Sequence, residues 1–542
     1  MLFNSYGFVF LFFPLALAGY SLCRRIGTNF RDGIYESGLR KLYLLGASFI
    51  FYGCFHPEYL PVLIGSMAVN YGLYRQMEGD ESRAGDSMRR QTTQSGPISG
   101  RNKKAALWAG LAVNLGALAC FKYVGAGGFV PLGISFYTFT QIAFLMEAYR
   151  GSLKQVSALS YGLYVSFFPK MIQGPIASPG EMLPQFQRRW KKPEWEQIYR
   201  SLYLFVLGLF KKVLIADTLG KAADFGYANP GALNSGDGLI VMLAYTLQLY
   251  FDFSGYCDMA MGIAGMFGLS LPLNFHSPYK ASNILEFWKR WHMTLTGFFT
   301  KYLYIPLGGS RKGKVRTYLN CLIVFLVSGI WHGAGWQFLV WGLMHGALDV
   351  LTRIWMEFKP RKRGRDRTYP GDGYVGDKGK AKGWETGKSA GYVPAGEQSK
   401  DGKAGFAEKA WHVACVLLTF LYVNIAWIFF RAPSVKEAVG MIKTILRCSF
   451  GKINWELAGC FNLDEFWYVI KVLGLDRWQY AHYILMALML AVILGIVFLG
   501  KSAAEYVRTV KPNAVNTVVM ALLFVWSILS FSGVSSFLYV NF

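Results

Sequence analysis

The chain is 542 residues long, 53% hydrophobic and 17% aromatic, but only 16% charged, against about 25% in ordinary soluble domains. That length would hold several soluble domains, yet long apolar runs exclude them, and the lack of period-two alternation excludes a membrane β-barrel. The net charge of +24 does not indicate a nucleic-acid partner, because the basic residues flank apolar runs. Arg24 and Arg25 follow the first run, Arg40 and Lys41 precede the second, Arg75 follows the third, and Arg101, Lys103 and Lys104 precede the fourth. Loops that face the cytoplasm beside anionic lipid carry this asymmetry. The opening MLFNS has no positive charge and no signal-peptide n-region, so the N-terminus is expected outside.

In chain order, GFVFLFFPLALAGYSLC (7–23) opens three apolar segments within residues 1–75. Residues 76–104 are expected to form a polar cytoplasmic loop. LWAGLAVNLGALACF (107–121) returns to the membrane, and residues 105–357 hold most of the polar motifs. KPRKRGRDR (359–367) marks a sharp change of composition, and residues 359–409 carry thirteen Lys/Arg against seven Asp/Glu. They are expected to be a disordered cytoplasmic loop. Residues 410–430 re-enter the membrane, 431–480 are amphipathic, and YILMALMLAVILGIVFLG (483–500) and VVMALLFVWSILSF (518–531) close the membrane part. Roughly eleven to thirteen segments are apolar enough to span or to be re-entrant. The reading is an all-α polytopic membrane protein with a core over 1–357, a basic Gly/Lys-rich loop over 358–409, and C-terminal membrane helices with an amphipathic segment over 410–542.

Polar residues at membrane depth are costly and are functional candidates by default. They gather between 245 and 345. YFDFSGYCDMAMG (250–262) places Asp252 and Asp258 in apolar company. Residues 271–314 are too polar to span, yet they carry Phe287, Trp288, Trp291, Phe298 and Phe299, as an interfacial or re-entrant helix pair would. SGIWHGAGW (328–336) then sets His332 between two tryptophans, with no charged residue in the run. Apolar surroundings favour the neutral imidazole that a general base needs. The small residues Gly333, Ala334 and Gly335 leave room for a helix or a substrate to approach. His345 fits a hydrogen-bonded core histidine, and His56, His276, His412 and His482 fit loop or interfacial positions. The eight cysteines form no CxxC pair, so neither a disulfide framework nor a zinc site is indicated.

Several motifs together resemble the membrane-bound O-acyltransferases. They are PLGISFYTFTQIAFLMEAYRG (131–151), FFPKMIQGPI (167–176), YFDFSGYCDMAMG, NFHSPYKASNILEFWKRWHMTLTGFFTKYLYIPLGG and SGIWHGAGWQFLVWGLMHG. The resemblance extends to a bacterial branch that includes the alginate O-acetylation and teichoic acid D-alanyl transfer proteins. It implies a helix bundle around a central tunnel and two catalytic histidines, His332 in its WHG motif and His292 in EFWKRWHMTL. It also implies acyl transfer, most simply acetyl, from a cytoplasmic thioester such as acetyl-CoA to hydroxyls of an exopolysaccharide or cell-wall polymer. No bound cofactor or metal is called for. The implied setting is the bacterial cytoplasmic membrane, with an SGNH-type or other outer-face partner. D-alanyl transfer from a carrier protein is the alternative reading, while a transporter or a scaffold explains neither histidine. FLYVNF (537–542) reads as an aromatic interface anchor, or, by the resemblance, as a carrier of Tyr539 as an acyl relay.

Overall fold

The computed structural model describes residues 1–28, 33–89, 98–124, 129–188, 193–358, 405–533, 535, 537 and 538. Among the described residues the secondary structure is helical, with no strand. Among the described residues, four helical stretches are long and apolar enough to cross a membrane: Arg101–Val124, Lys314–His332, Phe406–Arg431 and Ala481–Leu499. Two shorter apolar stretches, Gly7–Cys23 and Ala514–Leu529, accompany them. Their outward faces are apolar: Leu488, Val492, Ile496 and Leu499 are exposed on one helix, and Val518, Leu522, Val525 and Leu529 on another. Only lipid covers such faces without cost, and a helix satisfies its own backbone there. Much of the remaining apolar sequence forms helices sunk inside the bundle, such as Ile134–Tyr149 and Ser235–Met266.

The polar stretch 76–104 differs from its reading as a loop. Helix Tyr59–Arg89 runs on through residues 76–89, and the next helix begins at Ile98. Arg75 pairs with Glu78 at 3.0 Å along that helix, the i,i+3 spacing that supports solvated helices. The basic loop falls almost wholly outside the described residues, which resume at Gly405 before helix Phe406–Arg431.

The centre of the bundle is helix Ser235–Met266. Its first turn is fixed by a capping box, in which Asn234 Oδ1 accepts from the Asp237 N–H and Asp237 Oδ2 accepts from the Asn234 N–H, both at 3.0 Å. It lies against helix Trp195–Phe210 through glycines on both sides. A Cβ on Gly208 would sit 2.6 Å from the Gly255 carbonyl oxygen, and one on Gly262 would sit 2.6 Å from that of Ser201. Small residues let membrane helices close to backbone contact in this way. The pair Lys314–His332 and Trp336–Phe358 repeats the device: a Cβ on Gly329 would lie 2.4 Å from the Phe338 carbonyl oxygen, and one on Gly342 would lie 2.5 Å from that of Phe325. Helix Phe406–Arg431 joins this pair, where the Tyr422 hydroxyl donates to the Met344 carbonyl at 2.7 Å.

Candidate active site

Helix Lys314–His332 ends on the histidine itself. Gly333 follows because a Cβ there would meet the Phe338 ring at 2.1 Å, so the small residue makes room for a packing aromatic. The last carbonyls of a helix lack intrahelical partners. Here Lys122 Nζ donates to the Trp331 carbonyl, and the Tyr123 hydroxyl donates to that of Ile330. A cation at a helix C-terminus is also favoured by the macrodipole. His332 is 4% exposed. Its ring centroid lies 4.6 Å from Trp331, 4.9 Å from Phe430 and 5.1 Å from Trp341.

His292 joins the short helices Ile284–Arg290 and Met293–Phe299 in a left-handed conformation, φ 44° and ψ 50°. Such a backbone costs on the order of 1–3 kcal/mol in a non-glycine residue and persists only where its surroundings enforce it. Asn274 supplies the enforcement. Its backbone carbonyl accepts from the Met293 N–H at 3.0 Å, and its Oδ1 accepts from the Thr294 N–H at 3.2 Å and from Thr294 Oγ1 at 3.0 Å. A backbone N–H is an unambiguous donor, so the Asn274 amide oxygen is the atom that faces His292 Nδ1 at 3.0 Å. Nδ1 therefore donates, and Nε2 of the neutral ring keeps its lone pair. Nε2 is buried with no hydrogen-bond partner among the described residues. An imidazole locked in this tautomer can accept a proton. Its ring stands edge-on to Phe253 at 4.7 Å and lies 6.5 Å from Trp331.

The two implied catalytic histidines are thus brought to the same indole, Trp331. An aromatic shell surrounds them. The indole nitrogens of Trp288, Trp331, Trp341 and Trp427 are all buried without hydrogen-bond partners. His345 is fully buried and sits 5.0 Å from both Trp288 and Trp341. The hydrogen bond expected of a core histidine is missing: neither ring nitrogen has a partner among the described residues.

The other histidines stand apart. His56 contacts Glu58 at 3.0 Å, His276 lies 3.9 Å from Glu505, and His482 pairs with Asn462 at 2.6 Å. Tyr539 lies outside the described residues. Among the described residues no group of three or more His, Cys, Asp or Glu side chains is placed to hold a metal ion. Sequence reasoning missed Asn274 and Lys122. The one trace of Lys122 is a lone cation ending an apolar run, while Asn274 stands in a polar stretch with nothing to single it out.

The structure thus places a pair of buried imidazoles inside an apolar helical bundle, as a membrane protein with a polar site at depth would. Residues 80–363 match the family described as MBOAT, membrane-bound O-acyltransferase. The chain belongs to that family and is an acyltransferase. It is 34% identical to the peptidoglycan O-acetyltransferase of Helicobacter pylori, over 82% of this chain and 79% of that one. It is 31% identical to a Pseudomonas putida protein named "Probable alginate O-acetylase AlgI", over 84% of this chain and 82% of that one. It is also 30% identical to the teichoic acid D-alanyltransferase of Bacillus subtilis, over 40% of this chain and 57% of that one.

Proposed function

We propose that the chain is a multi-pass O-acetyltransferase of the bacterial cytoplasmic membrane. It takes an acetyl group from a cytoplasmic thioester, acetyl-CoA, and passes it across the bilayer towards hydroxyls of a cell-wall polymer or exopolysaccharide, through an outer-face partner of SGNH type. The observation that carries this reading is the pair His332 and His292, both buried and packed near the ring of Trp331. The relatives that cover more than four-fifths of this chain carry acetyl-transfer names, which favours acetyl over D-alanyl. A tunnel meeting at His332 admits donor and acceptor from opposite faces.

Acyl transfer needs a base for the hydroxyl, an acid for the leaving thiolate and donors for the tetrahedral oxyanion. His332 is the base. His292 Nε2 receives and orients the acceptor hydroxyl, or assists its proton transfer. The indole N–H groups of Trp331 and Trp341 are the oxyanion donors: both rings flank His332, and both nitrogens are buried with no protein partner among the described residues. Tyr539 is the residue through which the acyl group leaves, as the aromatic FLYVNF segment suggests; full transfer by Tyr539→Phe would remove it from the pathway.

The test is transfer of carbon-14 acetyl from acetyl-CoA in membranes that hold the wild type or His332→Ala. Label is expected in envelope polymer or protein with the wild type, and about 10³-fold less with the variant. Activity within a few-fold of wild type in His332→Ala overturns the base assignment. If neither membrane takes up label while D-alanyl carrier protein donates, the donor is not acetyl-CoA.

A further inference from the structure

A second buried polar group meets the central helix at Asp252, with Lys212 and Asp217 contributed by the helical turns that follow helix Trp195–Phe210, and takes no part in the chemistry above. Lys212 is 1% exposed and sits between two carboxylates, Asp217 at 2.7 Å and Asp252 at 2.8 Å. One cation therefore faces two anions, and the surplus carboxylate needs hydrogen-bond donors. They come from the segment that follows the last membrane helix. The Ser535 hydroxyl donates to Asp217 Oδ1 at 2.6 Å, and the Leu538 N–H donates to Asp252 Oδ2 at 3.0 Å. Lys212 Nζ also donates to Ser535 Oγ at 3.2 Å and lies 4.7 Å from the centroid of the Phe537 ring. Phe537 is fully buried, edge-on to Tyr256 at 5.1 Å.

The place of this contact matters. Tyr256 is one helical turn from Phe253, which packs on His292, and Cys257 accepts from the Asn274 amide at 3.3 Å. Residues three and four apart share a helix face. The segment is thus seated on the turn of helix that carries the supports of His292.

We propose that Lys212, Asp217 and Asp252 form an internal docking clamp that holds Ser535, Phe537 and Leu538 against helix Ser235–Met266 as a working part of the transfer centre. The three are positioning residues, acting through the segment they hold. Stability alone is a poor reason to keep such ions, because well-packed apolar replacements of buried ion clusters are often neutral or stabilising. What an apolar replacement removes is the pair of acceptors for Ser535 and Leu538.

Two arms test this on the full chain in proteoliposomes. The first is acyl transfer by Leu538→Pro, which deletes the N–H that meets Asp252 and leaves the buried ions untouched, against Leu538→Ala, which keeps it. Leu538→Pro is expected to lose about tenfold or more in kcat with KM little changed, and Leu538→Ala clearly less. Equal activities, whether both high or both low, overturn the clamp. The second arm needs no substrate, so it is read separately from the proposed chemistry. Leu538→Cys is treated with a maleimide, alone and combined with the apolar triple Lys212→Met, Asp217→Leu and Asp252→Leu. Labelling above the parent chain is expected only in the combination, and protection in both overturns the proposal. If the triple variant does not fold, Ser535→Ala combined with Leu538→Pro takes its place, read by proteolysis of the segment; unchanged resistance has the same meaning.

Discussion

Two buried polar regions border helix Ser235–Met266, one at Asp252 and the other at Phe253, and treat their polar atoms differently. Around Lys212 most polar atoms are met by protein: two carboxylates, one ammonium, a hydroxyl and a backbone N–H lie at 2.6–3.2 Å, and of the carboxylate oxygens Asp217 Oδ2 is left without a partner among the described residues. Around His332 the shell is aromatic, and His292 Nε2, both nitrogens of His345 and four indole nitrogens stand buried without protein partners among the described residues. Each such atom costs about 1–3 kcal/mol, a burden tolerated where polar atoms serve a reacting group. One region is closed by the chain itself at all but Asp217 Oδ2, and on the proposed reading the other is finished by substrate. The same low-dielectric setting makes the first a rigid anchor and the second a strong electrostatic site.

Substitutions break this contrast by graded amounts. His332→Ala, which takes the base out of the open region, is expected to be the most severe, about 10³-fold in transfer rate. Trp341→Phe keeps an aromatic side chain, smaller than the indole, and removes one donor, so kcat is expected to fall about 10²-fold, measured with saturating donor; an unchanged kcat would exclude this indole from the oxyanion site. Asn274→Leu releases the His292 tautomer and should lower kcat by about 10- to 100-fold with KM held. Asn274→Asp, which again offers Nδ1 an acceptor, should recover much of that loss, and failure of both alike would mark a merely structural role. Leu538→Pro, on the closed side, carries the smaller loss given above. The mildest is His345→Leu, close in size and free of polar atoms. It should raise stability by ~1 kcal/mol, seen as an equal or higher Tm in detergent; a drop of several degrees would show that the imidazole has a partner.

Helices at membrane depth were legible because apolar runs are local patterns. Yet a run does not tell a lipid-facing span from a buried helix, and Ser235–Met266 proves to be the core. The helix extension across 76–89 was hidden for a related reason, since polar composition reads as loop until i,i+3 pairing is seen. His332 and His292 stood out because each lies in a distinctive aromatic motif. Asp252 and Asp258 stand out in the sequence as misplaced charges, but it does not show that Lys211 meets Asp258 or that Asp252 shares Lys212 with Asp217.

By itself, then, the sequence determined the class of protein and the helical build and, through the family resemblance, pointed to the two histidines, since each is written within a few consecutive residues. Only the tertiary structure decided that Asn274 sets the His292 tautomer, that Lys122 caps the His332 helix from 209 residues away, and that Ser535 meets Asp217 across 318 residues. Those partners share no local spacing. They meet because glycine-lined helices close to backbone contact, and polar atoms carried inside must then find one another or a ligand.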